Sequence, residues 1–92
     1  MNLRIVAVDR FGNLITNLTE KSFTATRRGA ASFSLEVGGQ TVRRLLRTYG
    51  ESEGAEPFAL FNSCGYLEVA LRDGSAAALL AAAPGQQVVL RP

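Results

Sequence analysis

The sequence predicts a small, mostly β domain: a β-barrel of six or seven short strands with one alanine-rich helix near the C-terminus. Short apolar or alternating runs recur along the chain, and clusters of Gly, Asn, Asp and Ser separate them. The Gly38-Gly39 pair is typical of a hairpin turn, and a single alanine-rich run follows residue 74. The 92 residues suit one domain, and a hydrophobic content of 47% suffices for a packed core.

The N-terminal third begins with a strong strand signal. Leu3 to Asp9 is predicted as a strand because residues 5–8 form a continuous apolar run. Phe11-Gly12-Asn13 breaks it, since Gly and Asn tolerate positive φ. Leu14 to Asn17 resumes extended structure, and Thr19 is predicted to cap a short helical turn through Phe23.

The middle of the chain is predicted as a hairpin. Ser32 to Val37 alternates between polar and apolar residues, which indicates a half-buried strand. After the Gly38-Gly39 turn, Gln40 to Tyr49 is predicted to return as the partner strand. Gly50 to Pro57 is polar and acidic and is predicted as a loop.

The C-terminal third contains three further strands and the helix. Phe58 to Phe61 and Tyr66 to Leu71 are predicted strands joined by a polar turn. Ser75 to Ala83 is predicted as a helix because alanine has the highest helix propensity, Ser75 can cap its start and Pro84 ends it. Gln86 to Arg91 is predicted as the last strand.

The composition excludes several kinds of catalysis. The chain has no histidine and one cysteine, so it can form neither a Ser-His-Asp nor a Cys-His set and shows no Cys/His metal spacing. No glycine-rich phosphate loop precedes a helix. No catalytic residue and no metal ligand is therefore predicted. The lone cysteine, and the lack of a signal peptide or of any apolar run near 20 residues, predict a cytoplasmic protein with no membrane partner.

Binding residues are easier to nominate. Phe11, Tyr49 and Tyr66 lie at strand ends or beside turns, where an aromatic ring either joins the core or stacks on a planar ligand. Asn13 and Asn17 follow a glycine turn. Each either stabilises the turn or offers its carboxamide to a ligand such as an adenine edge.

Two runs resemble the paired motifs of one protein family. Asp9 to Asn17, DRFGNLITN, resembles the motif that opens the C-terminal domain of the S-adenosylmethionine (SAM) hydroxide adenosyltransferase family, which includes the SAM-dependent fluorinase and chlorinase. Asn62 to Ala70, NSCGYLEVA, followed by GSAA at 74–77, resembles the second motif of that domain. Order and spacing both fit, and the likeness covers nearly the whole chain.

The resemblance implies roles for individual residues at the adenine end of a ligand. Phe11 and Tyr49 would flank the adenine ring. Asn13 would hydrogen-bond the edge of the ring, and the backbone near Ala76 would contact it too.

At the other end of the ligand, the resemblance implies that Ser63 and the Cys64 N–H hold the methionine carboxylate. Glu68 matches the pattern of the hydroxide enzymes more closely than that of the fluorinase. It would either contact the ligand or support the residues that do, and Asn17 is implied as a supporting residue of the same kind.

Family members have two domains and form trimers, and the larger N-terminal domain supplies the catalytic Asp, Arg and His. The resemblance thus implies that residues 1–92 are a single C-terminal barrel without that domain. The barrel would be the adenosyl-binding half-site of a SAM hydrolase, which converts SAM and water to adenosine and methionine, and it would be inactive alone. SAM would be the substrate, with no cofactor. The partner would be the N-terminal domain of the same or a neighbouring subunit in a homotrimer, and a halogenase is the less favoured parent enzyme.

Two other functions stay open. The first alternative is a stand-alone structural or interaction barrel. The second is a small nucleic-acid-binding barrel that uses Arg43, Arg44 and Arg47 on one predicted strand. A nucleic-acid partner is not favoured, because the net charge of +2 is modest and no aromatic residues are interleaved with these arginines. A solvated or subunit-facing strand edge explains the arginines more simply.

Overall fold

The computed structural model describes residues 1–27 and 32–91. Within these residues the chain forms seven strands, two α-helices and one 3₁₀ turn. The elements are β1 (Asn2–Val8), β2 (Leu14–Thr19), α1 (Glu20–Arg27), β3 (Ser34–Val37), β4 (Gln40–Val42), the 3₁₀ turn (Tyr49–Glu51), β5 (Phe58–Phe61), β6 (Tyr66–Ala70), α2 (Ala76–Leu80) and β7 (Gln87–Arg91). Neither α-helix in the described part of the chain has the length and apolar character needed to cross a lipid bilayer.

The strands form one sheet in the order β4-β3-β7-β1-β2-β6-β5, and each neighbouring pair is antiparallel. The segment after β4 brings the two ends of the sheet together. Leu45 forms a parallel bridge with Ala59 of β5, the Leu46 N–H donates to the Ala59 carbonyl at 2.9 Å, and the Ala59 N–H donates to the Arg44 carbonyl at 2.7 Å. The result is a nearly closed barrel, which confirms the predicted fold class.

The interior of the barrel is apolar, because alternate residues of each strand point inwards. Fully buried side chains of several strands meet there, among them Ile5, Leu14, Leu35, Leu67 and Leu90. Burying a side chain of this size contributes roughly 1.5–3 kcal/mol to stability.

A second, smaller apolar cluster lies on the other face of β5 and β6. Phe58, Leu60 and Ala70 are buried there, and Leu46 packs against them. The chain between β4 and β5 covers this face, and the Arg72 guanidinium holds it by donating to the Ser52 carbonyl. The outer cluster thus fixes the loop that carries Tyr49.

Strand β1 contains a bulge that changes which residues face the core. Its register against β2 shifts by one residue between Ile5 and Ala7, and Val6 at the bulge is 55% exposed. Ile5 is buried before the bulge, whereas after it Val8 packs against the core. A bulge of this kind re-aims the residues that follow it, so Asp9 leaves the strand on the opposite face from Val8.

The predicted hairpin partner Gln40 to Tyr49 is wrong beyond Val42, where β4 ends. The chain leaves β3 at that point because its backbone groups pair with β5 instead. It then enters the 3₁₀ turn, whose start is held by Glu51: the carboxylate accepts from the N–H groups of Arg47 at 2.7 Å and Thr48 at 3.0 Å. Arg43, Arg44 and Arg47 therefore lie beyond β4 and not on the one predicted strand.

The two helices differ from prediction only in length. Thr19 caps α1 as predicted, its hydroxyl accepting from the Ser22 N–H at 3.2 Å, but the helix continues to Arg27. Ser75 caps α2 through the Ala78 N–H at 3.1 Å. That helix ends early because Ala81 is left-handed, with φ +50°.

Candidate functional site

An open cavity of about 630 Å³ lies where β1 ends, β2 begins and the chain leaves β6. Three of the residues nominated from the sequence line it: Phe11, Asn13 and Tyr49. Its complete lining is Asp9, Phe11, Asn13, Tyr49, Leu71, Asp73 and Gly74. The structure thus brings the predicted adenine-binding side chains to one place.

Asp9 organises the turn that presents Phe11 and Asn13. One oxygen of its carboxylate, Oδ1, accepts the backbone N–H groups of Phe11 and Asn13, both at 2.9 Å. The Asp9 backbone also accepts from the Gly12 N–H at 3.0 Å and donates to the Asn13 carbonyl at 3.1 Å. Gly12 has φ +83°, a conformation that suits glycine. This turn is therefore fixed by hydrogen bonds among its own residues.

A chain of side-chain hydrogen bonds crosses the floor of the site. The Asn13 amide nitrogen, Nδ2, donates to Asp9 Oδ2 at 3.0 Å and to the Tyr49 hydroxyl at 3.0 Å. The Tyr49 hydroxyl in turn donates to Glu68 Oε2 at 2.6 Å, a short charge-assisted bond. Asn13 and Glu68 are each only 6% exposed, so this network lies beneath the surface and its atoms are held by the fold.

Burial, and then the neighbouring Glu68 carboxylate, raise the pKa of Tyr49 well above the ordinary value of about 10 for a phenol. The charge of Asp9 acts in the same direction, and the hydrogen bond from Asn13 opposes it. Desolvation disfavours the charged phenolate, which would in addition face two carboxylates and lose its donor role. Tyr49 therefore works as a hydrogen-bond donor and not as a base.

Tyrosine ionisation offers a direct check of this environment. We expect the ultraviolet absorbance of the folded protein to show one of its two tyrosines ionising well above pH 10, and Tyr49→Phe to remove that component. Since the folded pKa lies above the unfolded one, the linked stabilisation is present below pH ~10 and is lost as the pH rises further. A Tyr49→Phe protein that kept the late ionisation would contradict the assignment.

Two aromatic rings stand at the mouth of the cavity. Phe11 is 64% exposed and Tyr49 is 48% exposed. The Arg10 guanidinium lies 4.9 Å from the centre of the Phe11 ring, and the Tyr49 ring packs edge-on against Phe58, with 6.0 Å between ring centres. Arg10 thus covers one face of the Phe11 ring, and both partly exposed rings line the cavity.

Ala76 and Asn17 do not themselves line the cavity, although Gly74, two residues before Ala76, does. Ala76 is fully buried in the first turn of α2. The next residue, Ala77, donates its N–H to the Gly12 carbonyl at 2.9 Å, so this helix supports the Asp9–Asn13 turn from behind. Asn17 is exposed and accepts from the Arg4 N–H at 3.0 Å. It is not part of the cavity lining.

Ser63 and Cys64 are exposed in the turn before β6, whereas the cavity adjoins the residues after β6. The Asn62 side chain holds this turn, and its Oδ1 accepts from the N–H groups of Cys64 at 3.0 Å and Tyr66 at 3.1 Å. The Cys64 N–H assigned to a carboxylate by resemblance is thus already bonded within the turn. At about 3.3 Å per residue, β6 alone is about 13 Å long, and the two places lie beyond its opposite ends, so only an elongated ligand could reach both.

Sequence reasoning missed four residues of the lining: Asp9, Leu71, Asp73 and Gly74. Asp9 carried a signal, since an aspartate at a strand end commonly accepts N–H groups of the next residues. Asp73 has φ +55°, a left-handed conformation that Asp tolerates. In the described part of the chain, the acidic side chains and Cys64 form no group of three that could hold a metal ion.

The matches to known proteins agree with the family resemblance that the two motifs carry. Residues 3–89 match the family model described as the SAM hydroxide adenosyltransferase C-terminal domain. The chain is 38% identical over 86 residues to the (R)-S-adenosyl-L-methionine hydrolase of Thermus thermophilus. This match covers 94% of the chain but 30% of the hydrolase.

Solved structures show the same partial coverage. A conserved hypothetical protein from Thermus thermophilus is 39% identical with a TM-score of 0.71, over 98% of this chain and 34% of that one. An uncharacterized conserved protein from Thermotoga maritima has a TM-score of 0.84 at 23% identity, over 98% of this chain and 35% of that one, and so shows the shared fold. The chain thus spans about a third of the length of these relatives.

Proposed function

This chain belongs to the SAM hydroxide adenosyltransferase family as a C-terminal domain, and from that premise we propose that it forms the adenosyl-binding part of a SAM hydrolase site. In the reaction proposed, water bonds to the sugar carbon that carries the sulfonium. The carbon–sulfur bond breaks, and adenosine, methionine and a proton are released. The barrel's part is to hold the nucleoside in place.

One observation carries this proposal: two exposed aromatic side chains and a buried amide meet at one open cavity. Phe11, Tyr49 and Asn13 all line it, and the Asn13 Oδ1 accepts no hydrogen bond from the described residues. Small-molecule sites combine apolar walls with a few convergent polar groups in volumes of about 300–1,000 Å³, and the 630 Å³ here lies within that range. A purine nucleoside has a planar ring for the aromatic faces and polar edges for the amide.

We propose that the barrel alone does not turn SAM over. The titratable groups lining the cavity are Asp9, Tyr49 and Asp73. The Asp9 carboxylate accepts three hydrogen bonds from its own turn, Tyr49 donates to Glu68, and the Asp73 side chain is 94% exposed. The proposal assigns none of these groups to the activation of water. In the proposal, an N-terminal domain of the same or a neighbouring subunit supplies those groups within a homotrimer.

Adenosine binding tests the proposal. In a ¹⁵N–¹H titration with millimolar adenosine, we expect the resonances of Phe11, Asn13 and Tyr49 to move. Stacking of a base on an aromatic side chain contributes about 1–3 kcal/mol, so Phe11→Ala should weaken binding by at least about fivefold.

Tyr66→Ala is the matched control, because Tyr66 is an exposed aromatic that does not line the cavity. It should leave the affinity unchanged. A wild-type protein with no adenosine response would favour the stand-alone structural or interaction barrel, and equal losses in both variants would also count against this site. Adenosine formed from SAM by the purified chain would refute the proposed need for a second domain.

A further inference from the structure

We propose that Asp9, Tyr49 and Glu68 are positioning residues that lock the Asn13 side chain in one orientation, so that the cavity selects a ligand edge that donates an N–H over one that presents a carbonyl. The contrast lies at C6 of the purine: adenine carries an amine there and is of the first kind, whereas hypoxanthine carries a carbonyl there and is of the second, its N–H lying on the neighbouring N1. The inference rests on the proposed function and narrows the class of ligand that the proposed site binds.

The Asp9 contact fixes which end of the amide faces it. An ionised carboxylate has acceptors and no donor, and Asp9 Oδ2 lies 3.0 Å from the terminal side-chain atom of Asn13. That atom must therefore be the NH₂ group. The reverse orientation would set two oxygens against each other at hydrogen-bonding distance.

The Tyr49 contact commits the second hydrogen of the same NH₂ group. The phenolic proton points at Glu68, because the hydroxyl oxygen lies 2.6 Å from a carboxylate oxygen. The Tyr49 oxygen then acts as an acceptor towards Asn13, at 3.0 Å. Donors therefore run in one direction, from Asn13 through Tyr49 to Glu68, and a carboxylate terminates the network on each side.

The oxygen of the amide is the atom left for a ligand. Asn13 Oδ1 accepts no hydrogen bond from the described residues, although the residue is only 6% exposed. Oδ1 nonetheless keeps contact with solvent. Among the described residues, the one side-chain polar atom that is fully buried and has no hydrogen-bond partner is Ser52 Oγ, so Oδ1 is not fully buried. With both hydrogens committed, Asn13 can accept from a ligand but cannot also donate to it. An amide that presented both its oxygen and its NH₂ group to the ligand could bond either an amine or a carbonyl.

The size of the selection follows from the cost of opposing two acceptors. A ligand that covers Oδ1 without donating to it loses about 5–150-fold in affinity, the cost of an acceptor that is buried unpaired. An amine satisfies Oδ1, whereas a carbonyl repels it. We therefore expect adenosine to bind at least about tenfold more tightly than inosine, which differs from it at this edge.

The first experiment needs no ligand. The two side-chain NH₂ protons of Asn13 should exchange with solvent slowly in the free protein, and Tyr49→Phe or Glu68→Gln should speed the exchange of at least one of them by tenfold or more. The side-chain amide of Asn17 is the internal control, because it is exposed and its NH₂ takes no part in the network. Exchange at Asn13 as fast as at Asn17 in the wild-type protein would overturn the lock.

The second experiment compares the affinities of adenosine and inosine. The preference for adenosine should be lost in Asn13→Ala and reduced at least about threefold in Glu68→Gln, a change that conserves shape and removes one charge. Equal binding of the two nucleosides by the wild-type protein would overturn the selection and leave the proposed function standing. Failure of both nucleosides to bind would overturn the proposed function and the selection together, while the exchange experiment would still decide the lock.

Discussion

Phe58→Ala should lower the free energy of unfolding by about 3–5 kcal/mol, the usual cost of truncating a buried phenylalanine. Phe58 is fully buried at the centre of the outer cluster with Leu60, Ala70 and Leu46. A domain of this size has a total stability of roughly 5–15 kcal/mol, so the loss would be a large part of it. Urea denaturation followed by circular dichroism would measure the change.

Phe11→Ala is the matched control, since it removes the same atoms from a ring that is 64% exposed. It should change the free energy of unfolding by less than about 0.5 kcal/mol. The Phe58 variant should also disturb the site, because the Tyr49 ring rests edge-on against Phe58. Equal destabilisation by the two variants would mean that the outer cluster does not contribute as its burial indicates.

Gly12→Ala should destabilise the protein by about 2–4 kcal/mol, by two additive causes. The residue has φ +83°, where any Cβ is strained. A Cβ there would also overlap Ser75, including its backbone Cα, at 2.9 Å. Ser75 cannot simply rotate away, because its hydroxyl caps α2 and the Gly12 carbonyl accepts from Ala77. Thermal unfolding would show the loss.

Gly65→Ala separates the two causes. Gly65 has the same φ of +83°, but a Cβ there would meet nothing within 4 Å. Its substitution should therefore cost only the backbone term, about 1–2 kcal/mol. If the Gly12 and Gly65 variants unfolded at the same temperature, the close packing of the turn against α2 would not be a source of stability.

Most strands could be predicted from the sequence because each is a short apolar or alternating run that ends at turn residues. The prediction failed for Gln40 to Tyr49, where the residues still suit a strand but the chain changes partner after Val42. That change depends on β5, which lies well beyond the local sequence. The length of α1 was also underestimated, as helix boundaries respond to packing as well as to propensity.

The part of the site that could be predicted from the sequence is the part that lies within one motif. Phe11 and Asn13 lie two residues apart on one turn, so their proximity follows from the sequence. The contacts of Tyr49 do not follow from it: 36 residues separate Tyr49 from Asn13 and 19 separate it from Glu68. These three side chains meet only because the chain between β4 and β5 folds over the outer face of β5 and β6. The resemblance named Tyr49 and Glu68, but the hydrogen bond between them required the fold.

The pairing of residues 44–46 with β5 has a consequence for how this domain meets other chains. An unpaired border strand offers its N–H and C=O groups to any extended peptide, which favours aggregation and domain swapping. Here Ala59 in β5 already exchanges hydrogen bonds with Arg44 and Leu46, and β4, at the other border, is only three residues long. The barrel can thus present exposed rings such as Phe11 to a ligand or a partner while giving little opportunity for association through its backbone.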